Sequence, residues 1–335
     1  MSTVVEAEVI GNVPFATDGR VALKVLHREI SDDQESIARL LREADLVRSL
    51  AHDNVCAIFD MGRTLNGRPY LVMELLRGQS LAERITRGPL SVSEAVAVLQ
   101  PVLAALEAAH ARGVVHRDLK PDNIFIVNSN ERKTVKSKLL DFGVARSFDG
   151  DREKHRLTDT GMVMGTPYYM APEQARGERK LDQRIDVWAI GVILYEALTG
   201  ERPFVATNYN ALLVKILTQQ PRKLSIVAPW MTSVISMVVE KALSKRAEDR
   251  FQTVRELADA LRLAEQESGG TWSDLDDPTV ALGERHCVAE PTVIDSEEIA
   301  ARFAETVAGA RNLTRARPEP TESQDGCATE IIRRR

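Results

Sequence analysis

Cysteine is scarce. Cys56, Cys287 and Cys327 lie far apart among 335 residues, without paired spacing. This argues against a disulfide framework and a cysteine-based zinc site, and fits a reducing compartment. No uninterrupted apolar run has the length a membrane-crossing helix needs, so no membrane span is expected. The opening residues MSTVVEAEVIG lack the basic start and apolar core of a secretory signal. A cytoplasmic protein is the expectation. A basic surplus is missing too: the net charge is −5 and no dense basic block occurs, which argues against nucleic acid as a partner. Hydrophobic content of 44% and charged content of 28% are what a packed globular chain carries. The length suits one large two-lobed domain plus a tail, or two ordinary domains.

The richest stretch is His116-Arg117-Asp118-Leu119-Lys120-Pro121-Asp122-Asn123, between a long apolar-periodic segment and the short apolar run Ile124 to Val127. An acid, a cation and an amide two and five places after that acid have to meet in one small space, which suits a loop between regular elements. Phosphoryl transfer from a nucleotide asks for these groups. A carboxylate serves the acceptor hydroxyl, a cation the moving phosphate, and an amide oxygen a magnesium ion. A second magnesium carboxylate is expected on a nearby loop, and Asp141-Phe142-Gly143 supplies it.

Around that stretch the periodicities alternate. Val21 to Leu26 is β-rich with Lys24 at its middle. Over 36–50, Ile37, Leu40, Leu41, Ala44, Val47 and Leu50 recur at helical spacing, and Glu43 falls off that stripe. Strands are expected at Val55 to Met61 and Tyr70 to Leu75, joined by a turn over 65–69. A helix from Ser91 to Arg112 should start with a Ser91/Glu94 capping box, bend at Pro101 and stop at Gly113. The polar residues 128–134 read as a lengthened surface turn. Asp186 to Tyr195 is apolar almost all round, the pattern of a buried helix, closed by Thr199-Gly200. Further helices are expected over 209–219, 231–243 and 253–264, the last with a Thr253/Glu256 capping box. After about Ala264 the composition shifts to Gly, Ser, Asp, Thr and Pro, predicting a mostly disordered tail. Within it, 296–308 could form one amphipathic helix through Ile299, Phe303 and Val307.

Residues 9–264 resemble a eukaryotic-type Ser/Thr protein kinase of the bacterial branch. The strand lysine, helix glutamate, His-Arg-Asp loop, Asp-Phe-Gly, Ala171-Pro172-Glu173 and Asp186-Val187-Trp188 appear in that family's order. The resemblance implies an α+β, bilobal fold. A small antiparallel-sheet lobe with one helix would cover about 1–74 and a larger helical lobe about 79–264, with residues 265–335 as the tail. It also implies ATP and Mg²⁺ as cofactors and protein Ser/Thr hydroxyls as acceptors. Asp118 would act as base or orienting group and Lys120 would meet the γ-phosphate. Asn123 and Asp141 would bind Mg²⁺. Lys24, held by Glu43, would contact the α- and β-phosphates. Met73 would border the adenine pocket, the backbone of Glu74 and Leu76 would hydrogen-bond the base, and Ala22 and Phe125 would sandwich it. Lys120 together with Thr166 follows the Ser/Thr pattern. Asp186 would hold the backbone of the catalytic loop, and Arg250 would pair with Glu173. Phosphate on Thr158 or Thr160, placed by autophosphorylation, would order the activation segment against Arg117.

The departure lies at the front. Where Gly-x-Gly-x-x-Gly-x-Val should cover the phosphates, Glu6 to Val13 keeps only Gly11 and Val13. The strand before the loop reads as a stub at Thr3 to Val5. Two glutamates near a triphosphate predict weaker nucleotide binding. Two readings follow: an active kinase, or a pseudokinase that serves as an interaction module. In the tail, Pro278-Thr279-Val280 recurs as Pro291-Thr292-Val293, and Ala328-Thr329-Glu330-Ile331 is loosely similar. With Leu282, Asp295 or Ile332 three places after the threonine, these resemble ligands of forkhead-associated phosphothreonine readers. Accidental repetition in a solvated tail is the plainer alternative.

Overall fold

The computed structural model describes residues 2–9, 19–26, 44–45, 47–64, 67–128, 135–141 and 167–268. These fall into two compact units. The smaller takes in the described residues up to Arg48 together with Ala57–Leu76, and the larger takes in Ser49–Cys56 and everything described from Arg77 onward.

In the smaller unit four antiparallel strands, β1 (Ser2–Glu8), β2 (Arg20–Leu26), β3 (Ile58–Arg63) and β4 (Pro69–Met73), form one sheet in the order β1-β2-β4-β3. Val21, Leu23 and Val25 alternate along β2 and meet Tyr70 and Val72 of β4, with Val5, Ala7, Val9 and Phe59 packed around them. This is the period-two pattern of a strand with a buried face. Leu65 and Asn66, part of the turn expected over 65–69, lie outside the described residues; the expected 36–50 helix is described only at 44–45 and 47–50, which are helical.

The expected stub at Thr3 to Val5 is a strand of seven residues. It pairs with β2 without a break from Ser2 opposite Leu26 to Glu8 opposite Arg20. The Val9 N–H extends the ladder to the Gly19 carbonyl at 2.6 Å. The β-branched run Thr3-Val4-Val5 favours the extended chain, and Glu6 reaches Arg20 at 2.8 Å. Glu6 and Glu8 therefore belong to a strand and not to the loop that follows. The connection 10–18, with Gly11 and Val13, lies outside the described residues.

The larger unit opens with β5 (Gly78–Ser80), which joins β6 (Ile124–Val127) and β7 (Lys136–Leu139) in an antiparallel sheet ordered β5-β6-β7. Its helices are α1 (Leu81–Ile85), α2 (Val92–His110), α3 (Pro172–Ala175), α4 (Arg184–Thr199), α5 (Tyr209–Thr218), α6 (Leu224–Val227), α7 (Ser233–Ala242) and α8 (Val254–Glu267). Every residue of α4 from Ile185 to Leu198 is buried, as its almost wholly apolar sequence requires, and the two acids in it, Asp186 and Glu196, are buried with the rest. α2 packs against α8, and α7 packs against both α4 and α8.

Several local expectations change. The run beginning at Val55 is divided: Val55 forms an isolated parallel bridge to Leu139 in the larger unit, and the strand starts only at Ile58. α2 passes through Pro101 as one helix. Ser91 caps α2 by accepting from the Glu94 N–H, but the Glu94 carboxylate does not close the box. It binds the Arg84 guanidinium instead, at 2.6 and 2.8 Å. Thr253 likewise caps α8, while Glu256 reaches back to the N–H of Gln252. α2 is long and apolar enough to cross a membrane by length and composition alone. Eleven of its nineteen residues are buried, including Leu99, Leu103 and Leu106, so its apolar length is accounted for as core.

Candidate active site

α2 ends where the chain must reverse into the catalytic loop. Gly113 takes φ 74°, a conformation glycine adopts without steric cost. It donates to the His110 carbonyl at 2.9 Å, and the next N–H, of Val114, reaches back to Ala109 at 3.0 Å. These paired bonds are the glycine-terminated helix stop, and they fix the direction in which the loop leaves.

Asp186, at the start of α4 and almost fully buried, then holds the loop. Its Oδ2 accepts the His116 backbone N–H at 2.9 Å and Oδ1 accepts that of Arg117 at 3.0 Å. His110 adds a contact from its Nε2 to Oδ2 at 2.7 Å. A buried carboxylate needs such partners to offset its desolvation. Arg117 is held at φ 66°, strained for a residue with a side chain.

His116 is fully buried, and both its ring nitrogens are engaged. Nε2 faces the Leu140 carbonyl at 3.0 Å, and Nδ1 accepts the Asp118 N–H at 3.3 Å. Donor at Nε2 and acceptor at Nδ1 define one neutral tautomer. Burial also drives the imidazole pKa below its ordinary value, against the raising influence of Asp186, the Leu140 carbonyl, Asp118 and Asp141. The ring thus ties the catalytic loop to the residue just before Asp141.

A second tie runs through Asn123. The Leu140 N–H donates to its backbone carbonyl at 2.8 Å, and its side-chain Nδ2 donates to the Asp118 carbonyl at 2.8 Å. With Nδ2 committed, Oδ1 is the end left to meet a ligand. Lys120 Nζ stands 3.6 Å from Asp118 Oδ2, and both side chains are partly exposed, 27% and 30%. Asp141 is exposed and sits at φ 44°. The structure therefore brings Asp118, Lys120, Asn123 and Asp141 together around Leu140 and His116.

Gln174 links the loop to α3. Its Nε2 donates to the Arg117 carbonyl at 3.2 Å, and its Oε1 accepts the Ala171 N–H at 3.0 Å. Gln174 and Arg117, with Asp118, Leu119, Tyr169 and Met170, line a small cleft beside the loop. Tyr169 donates to buried Glu196 at 2.6 Å, and Glu196 also takes the Arg202 guanidinium at 3.0 Å. Burial and the Glu196 charge push the Tyr169 phenol pKa up, so it stays a donor. Glu173 pairs with Arg250, as expected, at 2.7 and 2.8 Å.

In the smaller unit Lys24 lies mid-strand on β2, opposite Val4 and Leu71, and Ala22 is opposite Met73. The Glu74 N–H is taken by the Ala57 carbonyl at 2.9 Å, so an adenine contact there would fall to the Glu74 carbonyl. Leu76 and Phe125 are half-buried. Gly11, Val13, Glu43, Thr158, Thr160 and Thr166 lie outside the described residues. Sequence reasoning missed His110 and Gln174. A histidine on the core side of a helix that leads into the loop was the available signal for the first.

Residues 6–264 match the protein kinase domain. The chain belongs to the protein kinase family. It is 43% identical over 245 residues to the serine/threonine-protein kinase Pkn1 of Myxococcus xanthus, covering 73% of this chain and 34% of that one. It is 37% identical over 250 residues to PknB of Mycolicibacterium smegmatis, covering 73% and 39%. Among solved structures, the PknI kinase domain of Mycobacterium tuberculosis superposes with a TM-score of 0.58 at 25% identity, covering 79% of this chain and 97% of that one. The chain thus spans little more than a third of the length of these two relatives, and what it shares with them is the kinase domain.

Proposed function

We propose that the chain transfers the γ-phosphate of ATP to Ser and Thr hydroxyls of proteins, in bacterial signalling. The observation that carries this reading is the convergence of Asp118, Lys120, Asn123 and Asp141 on one frame built by Asp186, His116 and Leu140. Asp118 would orient the acceptor hydroxyl and take its proton. Lys120 would neutralise charge on the moving phosphoryl group. The Asn123 amide oxygen and the Asp141 carboxylate are hard oxygen donors that suit Mg²⁺ and would hold it. Bound there, the ion would supply charge stabilisation on the phosphate oxygens.

Family resemblance extends the reading to the rest of the site. Lys24, held by Glu43, would contact the α- and β-phosphates under the 10–18 connection, with Gly11 and Val13. Ala22, Met73, Glu74, Leu76 and Phe125 would receive the adenine. Thr158 and Thr160 would be regulatory acceptors answering to Arg117, with Thr166, Glu173 and Arg250 anchoring the segment. A cytoplasmic location and a phosphothreonine-reading partner for the tail belong to the same proposal. The pseudokinase alternative draws no support from the relatives, which are named as kinases.

The test is radiolabel transfer by the purified chain with Mg²⁺ and ATP, to itself and to casein. Asp118→Asn and Asp141→Asn should each abolish transfer while leaving the far-ultraviolet circular dichroism unchanged. Equal label in Asp118→Asn would overturn the proposal.

A further inference from the structure

The peptide that joins Arg117 to Asp118 is held at both of its polar ends. Its carbonyl, on Arg117, accepts the Gln174 Nε2 at 3.2 Å, and its N–H, on Asp118, donates to His116 Nδ1 at 3.3 Å. The preceding peptide is held as well, because the Arg117 N–H donates to Asp186 Oδ1 at 3.0 Å. Arg117 between them stands at φ 66°, which its side chain disfavours. A strained residue relaxes towards ordinary backbone angles unless the peptides on either side are fixed. Asp186 fixes the one before, and His116 and Gln174 fix the one after. Rotation of that second peptide about the Arg117 Cα–C bond swings the Asp118 Cα, and the carboxylate moves with it.

The surroundings of Gln174 give its bond to Arg117 one sense only. Its amide has a donor end and an acceptor end, and each meets its complement. Oε1 accepts the Ala171 N–H at 3.0 Å while Nε2 donates to the Arg117 carbonyl. The flipped amide would set N–H against N–H and oxygen against oxygen. The residue just before it, Glu173, is buried in the two-pronged pair with Arg250, at 2.7 and 2.8 Å. Gln174 is therefore carried on a segment that is itself tied down, as a precisely set site requires. Capping α3 needs only the acceptor end of the amide. The donor end adds nothing to that cap and reaches across 57 residues of sequence to the catalytic loop.

We propose that Gln174 is a positioning residue for Asp118. Its amide N–H sets the rotation of the Arg117–Asp118 peptide, and so the place of the carboxylate that meets the acceptor hydroxyl. The inference rests on the kinase reading above and adds one residue to its machinery. It also gives residues 167–174 a second task. That stretch carries Tyr169, bonded to buried Glu196 at 2.6 Å, and Glu173, bonded to Arg250. Through Gln174 these anchors act on the base as well as on their own segment, and a shift of the segment would displace the carboxylate.

Gln174→Glu removes the donor alone. Its carboxylate still accepts the Ala171 N–H but sets an oxygen against the Arg117 carbonyl. Gln174→Met, of similar length and uncharged, removes both bonds. The full chain and both variants are compared in three measurements: single-turnover transfer from Mg-ATP to casein, KM for ATP, and thermal unfolding. The single-turnover rate should fall about tenfold in each variant, less than a full misplacement costs because Asp186 and His116 still hold the loop. KM for ATP should stay within about twofold, since the nucleotide contacts are untouched. The unfolding midpoint should be unchanged in Gln174→Glu and lower in Gln174→Met, which also loses the cap. A wild-type rate in Gln174→Glu overturns the inference and leaves Gln174 as a cap for α3. A slowed Gln174→Glu beside a wild-type Gln174→Met traces the loss to added charge and overturns it too. So does a slowed Gln174→Glu whose midpoint falls or whose KM rises in proportion, because the loss then belongs to the fold or the nucleotide site. All three leave the kinase reading standing. No transfer by the unmodified chain overturns both.

Discussion

Glu173 and Arg250, 77 residues apart, meet in two parallel hydrogen bonds of 2.7 and 2.8 Å inside the larger unit. The remaining guanidinium hydrogens are also placed, on the carbonyls of Ser244, Arg184 and Lys245, and Trp188 covers the guanidinium with its ring centroid 5.0 Å away. All five donors of a fully buried arginine are satisfied at once. The pair ties α3 to the turn before α8, behind the loop that carries Asp118.

Breaking the pair from one side should be costly. Arg250→Met leaves the Glu173 carboxylate buried without its partner, and unfolding in urea should show a loss of about 3–5 kcal/mol. Glu173→Met combined with Arg250→Met should recover part of that loss, because no orphaned charge remains. A double variant as unstable as the single one would mean that the carbonyl bonds, and not the ion pair, set the cost.

Asp186→Asn tests the frame of the catalytic loop. The carboxylate accepts three hydrogen bonds, from the backbones of His116 and Arg117 and from His110. An amide can accept at one end only and sets an N–H against a donor at the other. Arg117, held at φ 66°, loses what keeps it there. Misplacing Asp118 by a fraction of an ångström should lower kcat about a hundredfold with a smaller change in KM for ATP. An unchanged kcat would show that His116 and Asn123 position the loop without Asp186.

The readable parts of the sequence were those in which chemistry fixes residue type and spacing together. Asp118, Lys120, Asn123 and Asp141 need fixed offsets to share one site, and Asp186 declared itself as the one charged residue of the otherwise apolar run from Asp186 to Tyr195. What failed to read had two acceptable partners. Glu94 had the right offset from Ser91 to close a capping box, but Arg84, brought close by folding, offered a two-pronged charge pair, and the charge-assisted bond won. β1 was read short because Glu6 to Val13 was set against the glycine-loop pattern, yet Glu6 and Glu8 continue the strand, and Glu6 reaches diagonally to Arg20 on β2 as a favourable cross-strand pair. His110 shows no polar function until Asp186, 76 residues away, is set beside it.

Asp60 on β3 is an acid that the fold does not reward. Only 6% of the residue is exposed, and its Oδ2 has no hydrogen-bond partner among the described residues. Burial raises its pKa, against the lowering influence of the Met61 N–H and the Arg48 charge. A carboxyl whose folded pKa is raised loses stability as pH climbs from the unfolded value through the folded one. Asp60→Asn should therefore stabilise the protein at neutral pH by about 1 kcal/mol, with little effect near pH 3. Thermal unfolding at the two pH values decides it: a variant less stable at neutral pH would show that the carboxylate has a partner worth more than its burial costs.

Lys245 gives the opposite slope at the other end of the pH range. Its Nζ donates to the Ile216 carbonyl at 2.7 Å and lies over the faces of Phe204 and Trp188, 4.1 and 4.9 Å from their centroids. Burial, and then the Arg250 charge, push its pKa down to about 8. The hydrogen bond to Ile216 survives deprotonation, because a neutral amine still donates. Between pH 8 and about 10.5 the unfolded chain binds more protons at this position than the folded one. Folding stability from this group therefore rises with pH across that window. Other lysines and tyrosines titrate there too, so the informative quantity is wild type minus Lys245→Met. That difference in unfolding free energy should climb from pH 8 to pH 10 and lie flat between pH 6 and 7. A difference independent of pH throughout would mean that the aromatic faces compensate the ammonium fully for its burial.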